Sequence, residues 1–141
     1  MKMDMTACKS GTVLLVEDDP LMSDVLNYEL QNMGHSVLNA ENGVEALIAL
    51  ETFRPDIIIT DLMMPEMDGY ELIRSVRQSE THRDVPIIAM SASIAQHIRD
   101  LVLKLGANEF MTKPFSFSKL EWYIENHLSR RNGKEEMEAS A

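Results

Sequence analysis

Four short apolar runs in this chain each end in a side chain able to do chemistry. Val13-Leu14-Leu15-Val16 runs into Glu17-Asp18-Asp19, Asp56-Ile57-Ile58-Ile59-Thr60 into Asp61, Ile87-Ile88-Ala89-Met90 into Ser91, and Phe110-Met111-Thr112 into Lys113. Open α/β sheets bind their ligands in the crevice outside the carboxyl ends of the strands. An acid cluster, a further acid, a hydroxyl and an ammonium would then meet at one edge. Glu17, Asp18 and Asp61 packed together repel one another and raise their pKa values unless a cation intervenes, and hard oxygen donors with room for water suit Mg²⁺. Asp19 precedes Pro20 at a helix start, so it is read as an N-cap rather than a ligand. Lys113 stands before Pro114-Phe115, and proline restricts the residue that precedes it, which favours a fixed inward orientation. Ser91 alone would be an ordinary turn or cap residue; only its company promotes it.

The elements that must position these groups alternate. Apolar residues at Met22, Val25, Leu26, Leu30 and Met33 form one helical stripe, closed by Gly34. Helical spacing recurs in Val44, Leu47, Ile48; in Leu72, Ile73, Val76; in Ile94, Ile98, Leu101, Val102, Leu105, closed by Gly106; and in Phe117, Leu120, Ile124, Leu128. Five βα units in succession imply parallel strands joined by right-handed crossovers. The first, third and fourth strands are nearly all apolar, as central strands buried on both faces should be. His35-Ser36-Val37-Leu38 and Glu109-Phe110-Met111-Thr112 are more mixed and read as edges. The expected fold is therefore a flavodoxin-like α/β doubly wound sheet of order 2-1-3-4-5, with Asp18 and Asp61 flanking the switch point.

The chain has 141 residues and is 45% hydrophobic, which suits one domain with a single packed core. Residues 1–10 read as a flexible leader, 11–129 as the domain, and 130–141, where apolar periodicity is lost, as a polar solvated tail. No apolar stretch approaches the ~20 residues of a membrane span, and the first ten residues have no signal-peptide core; a cytoplasmic address is expected. A net charge of -10 argues against direct nucleic-acid binding, which needs a basic footprint. Cys8, the single cysteine, is read as a solvent-side residue. His35, His82, His97 and His127 show no ligand spacing and are assigned to surface or boundary positions. The methionines are read as core filler, with Met63, Met64 and Met67 also limiting water near Asp61.

From Thr12 to Leu128 these residues resemble the receiver domain of two-component response regulators. The resemblance rests on Glu17-Asp18, Asp61 with Met64-Pro65 and Asp68-Gly69, Ser91-Ala92, and Lys113-Pro114-Phe115. It implies that Asp61 accepts a phosphoryl group from a phosphohistidine on a histidine kinase or histidine phosphotransfer protein. It also implies that Asp18, Asp61 and the backbone carbonyl of Met63 bind Mg²⁺, with Glu17 acting through a metal-bound water, and that Lys113 and Ser91 contact the phosphoryl oxygens. The Lys113-Pro114 bond is then expected to be cis. Phosphorylation should draw Ser91 inward and let Phe110 rotate from an exposed to a buried position, shifting the face of helix 4, strand 5 and helix 5 toward an unnamed protein target. Phe110 departs from the family in lacking a hydroxyl, and Met63 is apolar where the fastest self-dephosphorylating members are polar. The implied protein is a phosphoacceptor switch rather than an enzyme, single-domain or part of a phosphorelay, and a monomer or a phosphorylation-dependent dimer. The alternatives are a fragment of a hybrid histidine kinase, or of a larger regulator with its own output domain. An aspartyl-nucleophile phosphatase of the haloacid-dehalogenase type fits less well, since its second Asp lies two residues on, where this chain has Met63. No Walker-type Gly-rich loop is present.

Overall fold

A computed structural model describes residues 10–64 and 67–140, the side chains of 131–140 excepted. Cys8, the leader to residue 9, and the Pro65-Glu66 pair lie outside the described residues. The elements alternate strictly: β1 (Thr12–Val16), α1 (Pro20–Asn32), β2 (Ser36–Ala40), α2 (Gly43–Ala49), β3 (Ile57–Asp61), α3 (Gly69–Gln78), β4 (Ile87–Ser91), α4 (Gln96–Leu105), β5 (Glu109–Thr112) and α5 (Phe117–Ser140). The strands form one parallel sheet of order β2-β1-β3-β4-β5, the flavodoxin-like arrangement expected from the sequence.

Period-two alternation divides the core between the two faces of the sheet. Leu14, Val16, Ile58 and Ala89 pack with Ala46, Leu72, Ile73, Val76 and Val102 from α2, α3 and α4. Val13, Leu15, Ile57, Ile59, Ile88 and Met90 pack with Leu26 and Leu30 of α1 and Leu120, Ile124 and Leu128 of α5. Every residue of β3 and β4 is buried, whereas β2 at the edge leaves Ser36, Leu38 and Asn39 exposed. Central strands therefore carry the apolar runs, and the edge carries the mixed one.

The helix boundaries follow local chemistry. Asp19 caps α1, its Oδ1 accepting from the Leu21 N–H at 3.2 Å, with Pro20 at the first helical position. Asp68 caps α3 through the Glu71 N–H, and Asn42 caps α2 through the Glu45 N–H. Gly106 ends α4 at φ +125°, where a Cβ would also press on Arg77 Cγ at 2.7 Å. Arg77 occupies that space for a reason: its guanidinium donates to the carbonyls of Gly106, Arg83 and Val85 and to Asn108 Oδ1, pinning the loops that lead into β4 and β5.

Three expectations need correction. Ile94 lies outside α4 and is 86% exposed, so its apolar spacing does not mark a buried stripe. His35, His82 and His127 are buried rather than superficial, each anchored by a polar partner: the Gly11 N–H, the Leu50 carbonyl and Glu109 respectively. Helix α5 continues to Ser140, through the segment read as an aperiodic tail. Loss of apolar periodicity does not by itself end a helix. Lys134-Glu135-Glu136-Met137-Glu138-Ala139 is rich in strong helix formers, and extending a nucleated helix is cheap.

Candidate functional site

The strand register brings the reactive side chains to one edge. Val16 pairs with Thr60, Asp61 with Met90, and Ser91 with Thr112, so the carboxyl ends of β1, β3, β4 and β5 finish at nearly one level. Backbone bonds fasten the loops that leave them: Leu62 N–H to Met90 O at 3.0 Å, Lys113 N–H to Ser91 O at 2.8 Å, and Glu17 N–H to Ala40 O at 3.0 Å.

Asp61 is 8% exposed. Its Oδ1 accepts from the Leu62 N–H at 2.8 Å and faces the Met63 N–H at 3.5 Å. The other oxygen, Oδ2, lies 3.0 Å from Lys113 Nζ, which is also 3.0 Å from Glu17 Oε1. Glu17 Oε2 accepts from the Asp19 N–H at 3.2 Å. Burial pushes the Glu17 carboxyl above the usual carboxylate range, and the nearby charge of Asp61 adds to this; the hydrogen bonds from Lys113 and the Asp19 N–H oppose it. Burial also works against the Lys113 charge, but its hydrogen bonds to Glu17 and Asp61 prevail and hold the ammonium above the ordinary lysine value. Lys113 points inward, as expected, and its bond to Pro114 is cis.

Glu17, Asp18 and Asp61 each offer an oxygen within 4.8 Å of the other two, the one such group of metal-ligating side chains among the described residues. The two buried acids and the more exposed Asp18 form a hard-oxygen set open to water on one side. That donor set fits Mg²⁺, which keeps several waters and takes one or two carboxylates. Met63 is 71% exposed, beside Asp61 but not sealed over it.

Ser91 is buried, and its Oγ accepts from the Ser93 N–H at 3.0 Å. Ser93 Oγ in turn accepts from the Ala95 N–H at 3.2 Å, just ahead of α4. Phe110 stands in the buried position of the expected rotation: it is 5% exposed and belongs to the same core cluster as Ala89 and Val102. An apolar ring on a four-residue strand beside α4 gains more from that core than from solvent.

Sequence reasoning missed the part played by Gly69. A Cβ there would collide with the Asp61 carbonyl oxygen and lie 2.8 Å from Leu62 Cα, and its N–H donates to Leu62 O at 3.0 Å. The first turn of α3 thus rests directly on the loop that carries Asp61. The Asp68-Gly69 pair was visible in the sequence, but a close backbone approach between segments is not. A cavity of about 590 Å³ between α2 and α3, lined by Leu47, Phe53, Val76 and His82, contains none of these groups.

Comparison with known proteins agrees with this arrangement. A family model described as the response regulator receiver domain matches residues 13–125. The alkaline phosphatase synthesis transcriptional regulatory protein PhoP of Bacillus subtilis is 38% identical over 104 residues, which is 74% of this chain and 42% of that protein. Hybrid signal transduction histidine kinase D of Dictyostelium discoideum is 32% identical over 123 residues, 87% of this chain and 8% of that protein. Among solved structures, the receiver domain of a Pseudomonas aeruginosa PAO1 sensor histidine kinase, with a magnesium ion coordinated in its active-site cleft, superposes with a TM-score of 0.79 at 33% identity, covering 86% of this chain and 99% of that one. This chain thus spans less than half the length of either relative.

Proposed function

This chain belongs to the response regulator receiver domain family of two-component systems, and from that premise we propose that it is a phosphoacceptor switch charged on Asp61 by a partner phosphohistidine. The observation that carries the reading is the double pairing of Lys113 Nζ, 3.0 Å from both Asp61 Oδ2 and Glu17 Oε1. An ammonium fixed beside a strand-end carboxylate is placed to neutralise charge arriving there.

Phosphoryl transfer asks the protein mainly for positioning and for stabilisation of negative charge on the transferring oxygens. An Asp61 carboxylate oxygen attacks phosphorus, its new O–P bond forming as the P–N bond to the donor imidazole breaks. The Leu62 N–H holds Oδ1, which orients the carboxylate for that attack. Lys113, released from Asp61, follows the phosphoryl oxygens while Glu17 keeps it tethered. Asp18, Asp61, the Met63 carbonyl and, through water, Glu17 would hold Mg²⁺, which supplies further neutralisation of phosphoryl charge when bound. The chain ends the reaction modified, so it acts as acceptor rather than turnover catalyst.

The added phosphoryl charge competes for the Ser91 hydroxyl. Ser91 Oγ now accepts from the Ser93 N–H, and Ser93 caps the turn before α4. Reorienting Ser91 therefore loosens the approach to α4 and biases the α4-β5-α5 face toward a protein target. Phe110, buried between β5 and α4, is the ring on that face whose packing such a shift would alter. A second reading, that this receiver serves inside a longer regulator or hybrid kinase, is favoured by the 42% and 8% coverage of the two relatives. No described helix is long and apolar enough to cross a membrane; the reading places the chain in the cytoplasm, where its donor would reside.

Incubation with Mg²⁺ and acetyl phosphate, followed by intact-mass analysis, should show one added phosphoryl group that Asp61→Asn abolishes. Equal labelling of that variant, with the modification mapped elsewhere than a neighbouring hydroxyl, would overturn the assignment.

A further inference from the structure

We propose that Met63 is a peroxide-sensitive modification site, and that its oxidation to the sulfoxide shortens the lifetime of a phosphoryl group on Asp61. The site claim stands on exposure; the lifetime claim rests on the phosphoacceptor reading above.

Among the described methionines, Met90 and Met111 are buried and Met22, Met33, Met64 and Met67 are partly buried, while Met63 is 71% exposed. The most accessible described thioether is therefore rooted in the loop that borders the candidate acceptor, its own N–H facing Asp61 Oδ1 at 3.5 Å. Methionine oxidation follows exposure, so this side chain should react first among the methionines whose side chains are described. The acids beside it would repel an anionic oxidant, but hydrogen peroxide is uncharged and reaches it unhindered. In the step itself the sulfur lone pair attacks one peroxide oxygen. The O–O bond breaks as the S–O bond forms, sulfur loses two electrons, and the second oxygen leaves as water after taking up a proton.

The product changes what stands at the mouth of the site. A thioether is a weak hydrogen-bond acceptor and cannot orient water, whereas a sulfoxide oxygen is strongly polar and accepts readily. Hydrolysis of an acyl phosphate needs a water held in line with the bond to be broken, and a positioned acceptor raises the fraction of time such a water is present. The exposed flexible side chain permits that placement without disturbing the buried Glu17-Lys113-Asp61 cluster.

The test treats the full chain with limiting hydrogen peroxide, removes the peroxide with catalase, and maps oxidation by peptide mass spectrometry. Oxidised and untreated samples are then labelled with acetyl phosphate and Mg²⁺, freed of donor, and followed for acyl-phosphate loss. Met63 should be oxidised ahead of Met22, Met33, Met64, Met67, Met90 and Met111. Decay should accelerate between about twofold and about tenfold, the span that one hydrogen bond of ordinary net strength commands. Methionine sulfoxide reductases should restore the original rate, and in Met63→Leu the ratio of treated to untreated rates should be one. Oxidation spread evenly over the described methionines would overturn the site. Selective oxidation with unchanged decay, or an equal peroxide response in Met63→Leu, would overturn the coupling. Failure of the untreated wild type to take up phosphoryl would instead refute the phosphoacceptor reading and the coupling with it, leaving the oxidation map to decide the site.

Discussion

Replacing Lys113 with methionine should destabilise the protein in proportion to the burial of the two acids it serves. The side chains of Glu17 and Asp61 are 1% and 11% exposed, and that of Lys113 is 19% exposed. Removing one partner from a fully buried pair costs about 3–5 kcal/mol, and partial solvent access to Lys113 and Asp61 screens part of that loss. A loss of about 2–3 kcal/mol is therefore expected near neutral pH, lowering Tm by roughly 6–12 °C for a domain of this size. The sign with pH is distinctive. Glu17, whose folded pKa is already raised, loses its compensating cation and binds a proton more readily in the folded state than in the unfolded one. Stability of the variant should then rise as pH falls through the folded Glu17 pKa toward the unfolded carboxylate range. Mg²⁺ should restore the variant more than the wild type, since a cation at a hundredfold excess over its Kd adds about 2.7 kcal/mol. Urea melts of wild type and Lys113→Met at several pH values, with and without Mg²⁺, read all three effects. A variant equal to or above wild type in stability without added Mg²⁺ would refute the argument that the ammonium holds these acids together.

Three further outcomes follow from the geometry. Asp18→Asn should weaken Mg²⁺ binding by about tenfold or more, because a coordinating charge is lost, while its urea midpoint stays close to wild type; unchanged affinity by titration calorimetry would remove Asp18 from the ligand set. Gly69→Ala should cost about 1–3 kcal/mol as an overpacked contact and reduce acetyl-phosphate labelling, because its Cβ would strike the Asp61 backbone; normal stability and labelling together would contradict that contact. Burial lowers the His35 pKa despite the opposing charges of Glu121 and Asp56, its Nδ1 accepts from the Gly11 N–H, and its Nε2 has no hydrogen-bond partner among the described residues. Its contribution to stability should be present above the unfolded histidine value of about 6.5 and be lost as pH falls below it, so the difference between wild type and His35→Gln in urea midpoint should change between pH 7.5 and 5.5; a constant difference would sink the idea.

The architecture and most of the site were legible because parallel sheets make strand ends meaningful. A run such as Ile57-Ile58-Ile59-Thr60 can be buried on both faces only at the sheet centre, and whatever follows it must emerge in the crevice. That logic places Asp61, Glu17, Ser91 and Lys113 together, and the register does so. The sequence was silent where the outcome depended on a neighbour. Ile94 has the right spacing for α4 but lies in the loop before it. Phe110 could face solvent or core until Val102 and Ala89 decided the matter. The buried histidines needed backbone partners that no periodicity reveals, and the same holds for the four acceptors gathered by Arg77.

The shared grip of Lys113 on Glu17 and Asp61 also bears on how such a site can decay over generations. Losing Asp61 alone leaves the ammonium joined to Glu17, and losing Glu17 alone leaves it joined to Asp61; each step removes a like-charge neighbour as well. Losing Lys113 first strands two buried carboxylates against each other. Duplicated copies drifting away from phosphoryl chemistry therefore have an uphill and a downhill route, and the downhill one discards an acid before the lysine. Relic domains with the lysine in place and an acid missing should accordingly outnumber those with both acids and no lysine.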